Sequence, residues 1–198
     1  YSGAAFGPAF YMRNFGVSEG EVATVLGLTA AIAGMTGVIL GGMIGDKLRK
    51  KYTNGRFYVA FLVILLVAPF NLGVLYSENL YVSYIWNFIV QLISPMWVGI
   101  APAIVADLVM PRMRAIAGAF YILMVSMLGL ALGPYSVGLL SDTLISQGYS
   151  DAEGLKTALA ASMGVLIISA TTLLLASRYL PGDESSKLDR AKELGEVV

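Results

Sequence analysis

An all-α integral membrane bundle is the fold this sequence predicts, and three observations carry it. Of 198 residues, 57% are hydrophobic and only 13% charged, at a mean hydropathy of +0.74, whereas about a quarter of a soluble domain is charged. Charge-free apolar runs recur over 22–45, 57–76, 80–106, 115–141 and 157–177, each near the roughly 20 residues of helix that cross a bilayer. Basic residues concentrate in alternate junctions, as they do when successive spans cross in opposite directions. A membrane sheet is excluded because it must close and would show alternating segments of about ten residues.

The elements follow in order. Residues 1–15 are expected to be a first span cut at its start, because the chain opens on Tyr1 inside an apolar run and not on Met with a basic leader. Span two covers 20–45. Its Ala33, Gly37, Gly41 and Gly45 fall every fourth residue, with Ala30, Gly34 and Gly42 on the adjacent row, a small-residue face that lets backbones approach. Close packing inside the bundle accounts for that face; gliding against a further bundle is the sharper alternative. Span three covers 57–76, span four 80–106, span five 113–141 and span six 156–179, so that 1–180 form one unit. Turn and breaker residues separate them at Asn14-Phe15-Gly16, Thr53-Asn54-Gly55, Ser77-Glu78-Asn79, Pro111 and 146–151. Pro181-Gly182 is expected to stop span six, with Asp183 capping a short charged helix in a tail over 181–198.

Charge fixes orientation. Lys47, Arg49, Lys50, Lys51 and Arg56 follow span two, Arg112 and Arg114 follow span four, and Arg178, Lys187, Arg190 and Lys192 follow span six. Eleven of the thirteen basic residues thus lie on one side, which should be cytoplasmic and should carry the C-terminus. The net charge of zero gives no basic field for nucleic acid. The absence of Cys and His removes disulfides, thiolate nucleophiles and imidazole-bound metals. No carboxylate lies deep in a complete span, so intramembrane catalysis has no acid or base. The expectation is a protein without enzyme activity, metal or cofactor.

Residues 37–48, GVILGGMIGDKL, laid over 133–144, GPYSVGLLSDTL, pair Gly37 with Gly133, Gly42 with Gly138, Asp46 with Asp142 and Leu48 with Leu144. Asp46 closes span two on the basic side, and Asp142 closes span five on the other. Two similar helices in opposite directions, each the middle one of three, form the pattern of inverted triplets in six-helix transporter halves. A second six-helix bundle is the expected partner.

Three polar sets stand out. A carboxylate at a helix C-terminus faces the negative end of the macrodipole, at a cost of about 0.3–1 kcal/mol. Asp46 therefore needs compensation, either from Lys47, Arg49 and Lys50 beside it or from a helix N-terminus in the second bundle. Asn87, Gln91 and Ser94 share one face of span four and are costly against lipid. They are expected to line a cavity or to bond between helices, with Tyr84 and Trp97 near and Pro95 and Pro102 able to kink the span. Asp107 is expected to pair with Arg112 and Arg114 and shape the turn.

The run Gly42-Met43-Ile44-Gly45-Asp46-Lys47-Leu48-Arg49-Lys50-Lys51 resembles the loop signature of the major facilitator superfamily, G-x-x-x-D-[RK]-x-G-[RK]-[RK], with Arg49 in place of the usual glycine. Residues 111–142 resemble the fifth helix of the C-terminal half in its spinster-like subgroup, through Pro111, Arg114, Gly133-Pro134 and Gly138-x-x-x-Asp142. The resemblance implies the C-terminal six-helix half of an alternating-access transporter, working against the N-terminal half of the same protein among membrane lipids. It makes Gly42, Gly45, Asp46, Lys47, Arg49 and Lys50 a gate loop, with Gly138 and Asp142 its inverted echo. In that arrangement the first and fourth helices of a half line the pathway, which adds Phe6, Phe10 and Tyr11, with Thr29 and Met35 from span two and Tyr121 and Met124 from span five. Aromatics and methionines beside few polar groups suit an amphipathic or lipid-like small molecule. The subgroup implies proton coupling, with the titrating group outside this chain, and a bacterial inner membrane is the expected location. Organic-anion or drug carriage, and a non-transporting structural or channel-like subunit, are the alternatives.

Overall fold

A computed structural model describes the backbone over 1–52 and 54–193, with side chains to Tyr179 and at Gly182 and Ser186. The described residues form helices without strands. These are α1 (Ser2–Phe15), α2 (Glu19–Lys51), α3 (Gly55–Tyr76), α4 (Leu80–Leu108), α5 (Pro111–Ser146) and α6 (Asp151–Ser162), which continues past Met163 as α7 (Gly164–Glu193). Five segments, the last over Asp151–Tyr179, are long and apolar enough to cross a membrane. Local chemistry sets their ends. Gly16, at φ 67°, closes α1 in the left-handed region that glycine enters freely. Ser18 caps α2 by accepting from Glu21 N–H, and Asn79 Oδ1 caps α4 by accepting from Tyr81 and Val82. Ser150 and Glu153 form a capping box at the start of α6, a signature present in the sequence as Ser-x-x-Glu.

Two helix ends lie beyond their expected positions. Helix α2 continues to Lys51, so the loop motif is helical, and Arg49, Lys50 and Lys51 occupy the last turn. Cations are favoured there by the macrodipole, which is why the basic cluster extends the helix and does not end it. Helix α5 likewise continues to Ser146. Asp46 and Asp142 therefore sit inside helices, and the C-terminal dipole penalty expected for them does not apply.

Pro181 does not stop the last span, because α7 runs through it to Glu193. A proline inside a helix leaves the carbonyl four residues back without its donor and costs about 3 kcal/mol. That carbonyl belongs to Ser177, and Asn54 Nδ2 donates to it at 3.1 Å. The expected N-cap at Asp183 falls on a side chain outside the described ones, as do residues 194–198 of the expected tail.

The inverted repeat is visible in the packing. Gly37 and Gly41 of α2 lie so close to Leu92 and Met96 of α4 that a side chain at either glycine would overlap backbone, and Gly45 meets Ile100. On the other triplet, Gly129, Gly133 and Gly138 of α5 face Tyr1, Ser2 and Phe6 of α1. Span two on span four thus mirrors span five on span one, as inverted triplets require. Each middle span also widens to π-helical turns, over Ala30–Gly34 and Val125–Leu132. The 96-residue shift that lays Gly37 on Gly133 carries the first of these onto 126–130, inside the second. The Gly37 and Gly133 contacts, the π turns and chain direction agree on one symmetry, whereas Gly41 and Gly45 fall on Val137 and Ser141. The glycine row is consumed inside the chain by α4, so it is not the gliding face offered as the sharper alternative.

The apolar core lies at the end away from the basic cluster. Phe10, Tyr11, Val22, Val74, Leu75, Val90, Val137, Leu155, Ala158 and Leu159 form one buried group there, drawn from α1 to α6.

Candidate functional site

The basic end holds a charge cluster built by three helices. Arg56, the second residue of α3, donates from Nη2 to Asp46 Oδ1 of α2 at 2.6 Å and from Nη1 to Asp107 Oδ2 of α4. Arg49 brings its Nε to 3.7 Å from the same Asp107 oxygen. The motif glycine lies beside this cluster: a Cβ at Gly45 would be tight against Ile100 Cγ1 at 3.3 Å and in ordinary contact with Arg56 Cγ at 3.7 Å. Arg56 passes this face of α2 to reach both carboxylates. Its planar fork serves two acceptors at once, which a lysine cannot do in the same geometry.

Burial grades the cluster. The Arg56 side chain is 18% exposed and Asp107 31%, whereas Asp46 is 61% exposed. The inner pair is screened less than the outer one. Asp46 is therefore the partner that can leave without stranding Arg56, which keeps Asp107.

One expectation changes here, and Asp107 gains partners that no local pattern showed. The compensation for Asp46 comes from Arg56, a residue of this chain that had been counted only as a basic marker. Asp107 pairs with Arg56 and Arg49 across helices, and Arg114 stands exposed at the start of α5. Arg56 was legible as a single cation opening an apolar run, but its partners lie 10 and 51 residues away, beyond any local pattern. On the opposite side Asp142 is exposed as Asp46 is, but Ala152 stands where the 96-residue shift would place a counterpart of Arg56.

The cavity candidates fall in several places. Phe10 and Tyr11 are core residues, 2% and 0% exposed, and not part of an open surface. Tyr11 donates its hydroxyl to Ser83 O at 3.2 Å, Ser83 Oγ bonds Val74 O at 3.0 Å, and the Tyr11 ring lies 4.8 Å from that of Tyr84. The reason is that α1 turns its aromatic face inward at the level where α3, α4 and α6 converge. Thr29 bonds the Val25 and Leu26 carbonyls of its own helix.

Asn87, Gln91 and Ser94 are half-buried on one face of α4, flanked by buried Ser83 and Val90. Their face is turned toward the chain's other helices at that level. The Asn87 Oδ1 and Tyr84 hydroxyl are buried with no hydrogen-bond partner; an orphaned buried amide oxygen marks a place where water or a ligand group would be favoured. Trp97 and Tyr121 meet edge to face between α4 and α5, with centroids 6.5 Å apart.

Several apolar spans, paired as inverted triplets and tied by a charge cluster at one end, define a multi-pass integral membrane bundle. The pairing of its triplets has the inverted pattern found in six-helix halves of secondary transporters. Comparison with known proteins gives its relatives. No family model matches the sequence. An MFS-type efflux pump of Mycolicibacterium smegmatis is 27% identical over 179 residues, 90% of this chain and 42% of the pump. The spinster protein of Drosophila melanogaster is 28% identical over 190 residues, 93% of this chain and 31% of that protein. A crystal structure of a bacterial homologue of the human lysosomal transporter Spinster, inward-facing and occupied, matches with a TM-score of 0.80 at 23% identity, covering 92% of this chain and 46% of that one. The chain is a homologue of major facilitator transporters of the efflux-pump and spinster kind, which are not enzymes, and it spans less than half the length of these relatives.

Proposed function

We propose that this chain is the C-terminal half of a secondary active transporter that moves a small amphipathic, lipid-like solute by alternating access against an N-terminal six-helix half. The observation that carries the reading is the inverted pairing, α2 on α4 and α5 on α1, which leaves one side of each triplet for a second bundle. The basic end then faces the cytoplasm of a bacterial inner membrane. The Asp46–Arg56–Asp107 cluster serves as a gate latch in which exposed Asp46 exchanges partners while Arg56 and Asp107 hold α3 and α4 together.

The lipid-like solute is favoured by apolar spans with few polar groups, among them Asn87, Gln91 and Ser94, and by likeness to spinster proteins. The motif residues Gly42, Lys47 and Lys50 would act with the latch, and proton coupling would use a carboxylate outside this chain. A second reading, export of a drug or organic anion, is favoured by the relative named as an efflux pump.

The test is flux in vesicles containing the complete protein under an imposed pH gradient. Movement of a fluorescent lysolipid that collapses with the gradient is the expected result. Gradient-driven movement of a hydrophilic anion or cationic dye, with no lysolipid flux, would replace the first reading by the second.

A further inference from the structure

The end of the bundle away from the basic cluster contains a cleft between the last turns of α1 and α3 and the first turns of α6. It encloses about 320 Å³, the lower end of the range for small-ligand sites. Its apolar wall is Phe15 and Tyr76 over the buried Phe10, and its two charges are Glu78 and Lys156. The ammonium of Lys156 sits 4.4 Å from the centre of the Tyr76 ring, which fixes the cation at one wall without neutralising it. Among the described residues, neither Lys156 nor Glu78 makes a salt bridge or a side-chain hydrogen bond. Two opposite charges thus line one concave space without forming an ion pair with each other.

We infer that this cleft is a binding site for a zwitterion, one small group carrying both an ammonium and a phosphate or carboxylate. An anion drawn to Lys156 meets repulsion from Glu78, and a simple cation drawn to Glu78 meets Lys156. A group with both signs satisfies the two at once, with the aromatic wall excluding water from one side. The cleft lies at the level where apolar spans end and aromatic side chains meet the interface, so an ethanolamine-phosphate group reaches it either as a lipid headgroup or as a free molecule. The inference rests on the membrane fold and does not depend on the transported solute.

The experiment is a thermal-shift titration of the complete protein in detergent with four probes: short-chain phosphatidylethanolamine, short-chain phosphatidylglycerol, free phosphoethanolamine and ethanolamine. Phosphatidylethanolamine should raise Tm, while phosphatidylglycerol and ethanolamine should not. A response to phosphoethanolamine as well assigns recognition to the free zwitterion, and a response to the lipid alone assigns it to a membrane source. Lys156→Gln and Glu78→Gln should each weaken binding at least tenfold, and the charge-swapped pair Lys156→Glu with Glu78→Lys should restore part of it. Equal shifts with phosphatidylglycerol, or full binding by both single variants, would overturn the proposal.

Discussion

Helices α2 and α5 share a glycine pair under the 96-residue shift, Gly37 and Gly42 on Gly133 and Gly138, and carry equivalent π turns, yet the bundle treats them differently. In α2 the row Ala33, Gly37, Gly41 and Gly45 is buried, with Gly37 and Gly41 pressed on the backbone of α4 and Gly45 on the Ile100 side chain. In α5 Gly129, Gly133 and Gly138 meet only the side chains of Tyr1, Ser2 and Phe6, and none of its membrane window is buried, with Ile116, Phe120, Leu123 and Met127 open. A shared sequence pattern therefore marks two kinds of surface. One is consumed by the chain's own packing, and the other is left for lipid or a second bundle. The junctions after them differ in the same way. Asn54 and Ser150 are equivalent under the repeat, but Ser150 caps its own helix whereas Asn54 makes no cap bond and reaches Ser177 instead.

The comparison breaks most readily at the glycines. In Gly41→Leu the new Cβ would fall on the Met96 backbone, with Met96 Cα only 2.6 Å away. Thermal unfolding in detergent should show a loss of about 3 kcal/mol, roughly 10 °C in Tm, or no folded protein. Gly133→Ala meets just Ser2 Oγ at 3.3 Å and should cost below about 1 kcal/mol. Equal effects at both sites would mean that α2 is no more tightly packed than α5.

Next in size is Arg56→Met, which leaves Asp46 and half-buried Asp107 without their bridge. We expect a loss of about 2 kcal/mol by the same assay. Asp142→Asn on the repeat-related span should stay within about 0.5 kcal/mol.

Asn54→Ala removes the donor from the carbonyl that Pro181 strands, for about 1 kcal/mol. In a Pro181→Ala background the helix supplies its own N–H, so the same change should cost distinctly less. A double-mutant cycle with no coupling would detach Asn54 from the continuity of α7.

The smallest stability effect belongs to Asp46→Asn. At 61% exposure its pair with Arg56 is worth about 0.5 kcal/mol or less. Transport by the complete protein should nevertheless slow, and flux at the parent rate would remove the latch from the proposal.

Much of the architecture was legible locally. Span number and order follow from apolar runs bounded by charge, and the repeat from Gly37 and Asp46 echoing Gly133 and Asp142, because both are properties of short stretches. The candidate site was only partly legible. Asp46 stood out by its place in a motif, but its partner Arg56 lies on the next helix, and Phe10 and Tyr11 looked like pathway aromatics until the packing of α1 enclosed them. Helix ends at Lys51 and past Pro181 were missed for a related reason. In each case a contact or dipole effect outweighed the breaker or charge signal that composition provides.

The sequence by itself determined that this chain is a multi-pass membrane bundle, where its long apolar helices fall, and which end carries the positive charge. Transfer of apolar helix into lipid and the position of Lys and Arg depend on consecutive residues. Only the tertiary structure decided which glycine row is buried, that Arg56 joins Asp46 to Asp107, and that Lys156 and Glu78 share one cleft without touching. Those outcomes depend on how rigid helices converge, and convergence is set by packing between residues far apart in the chain.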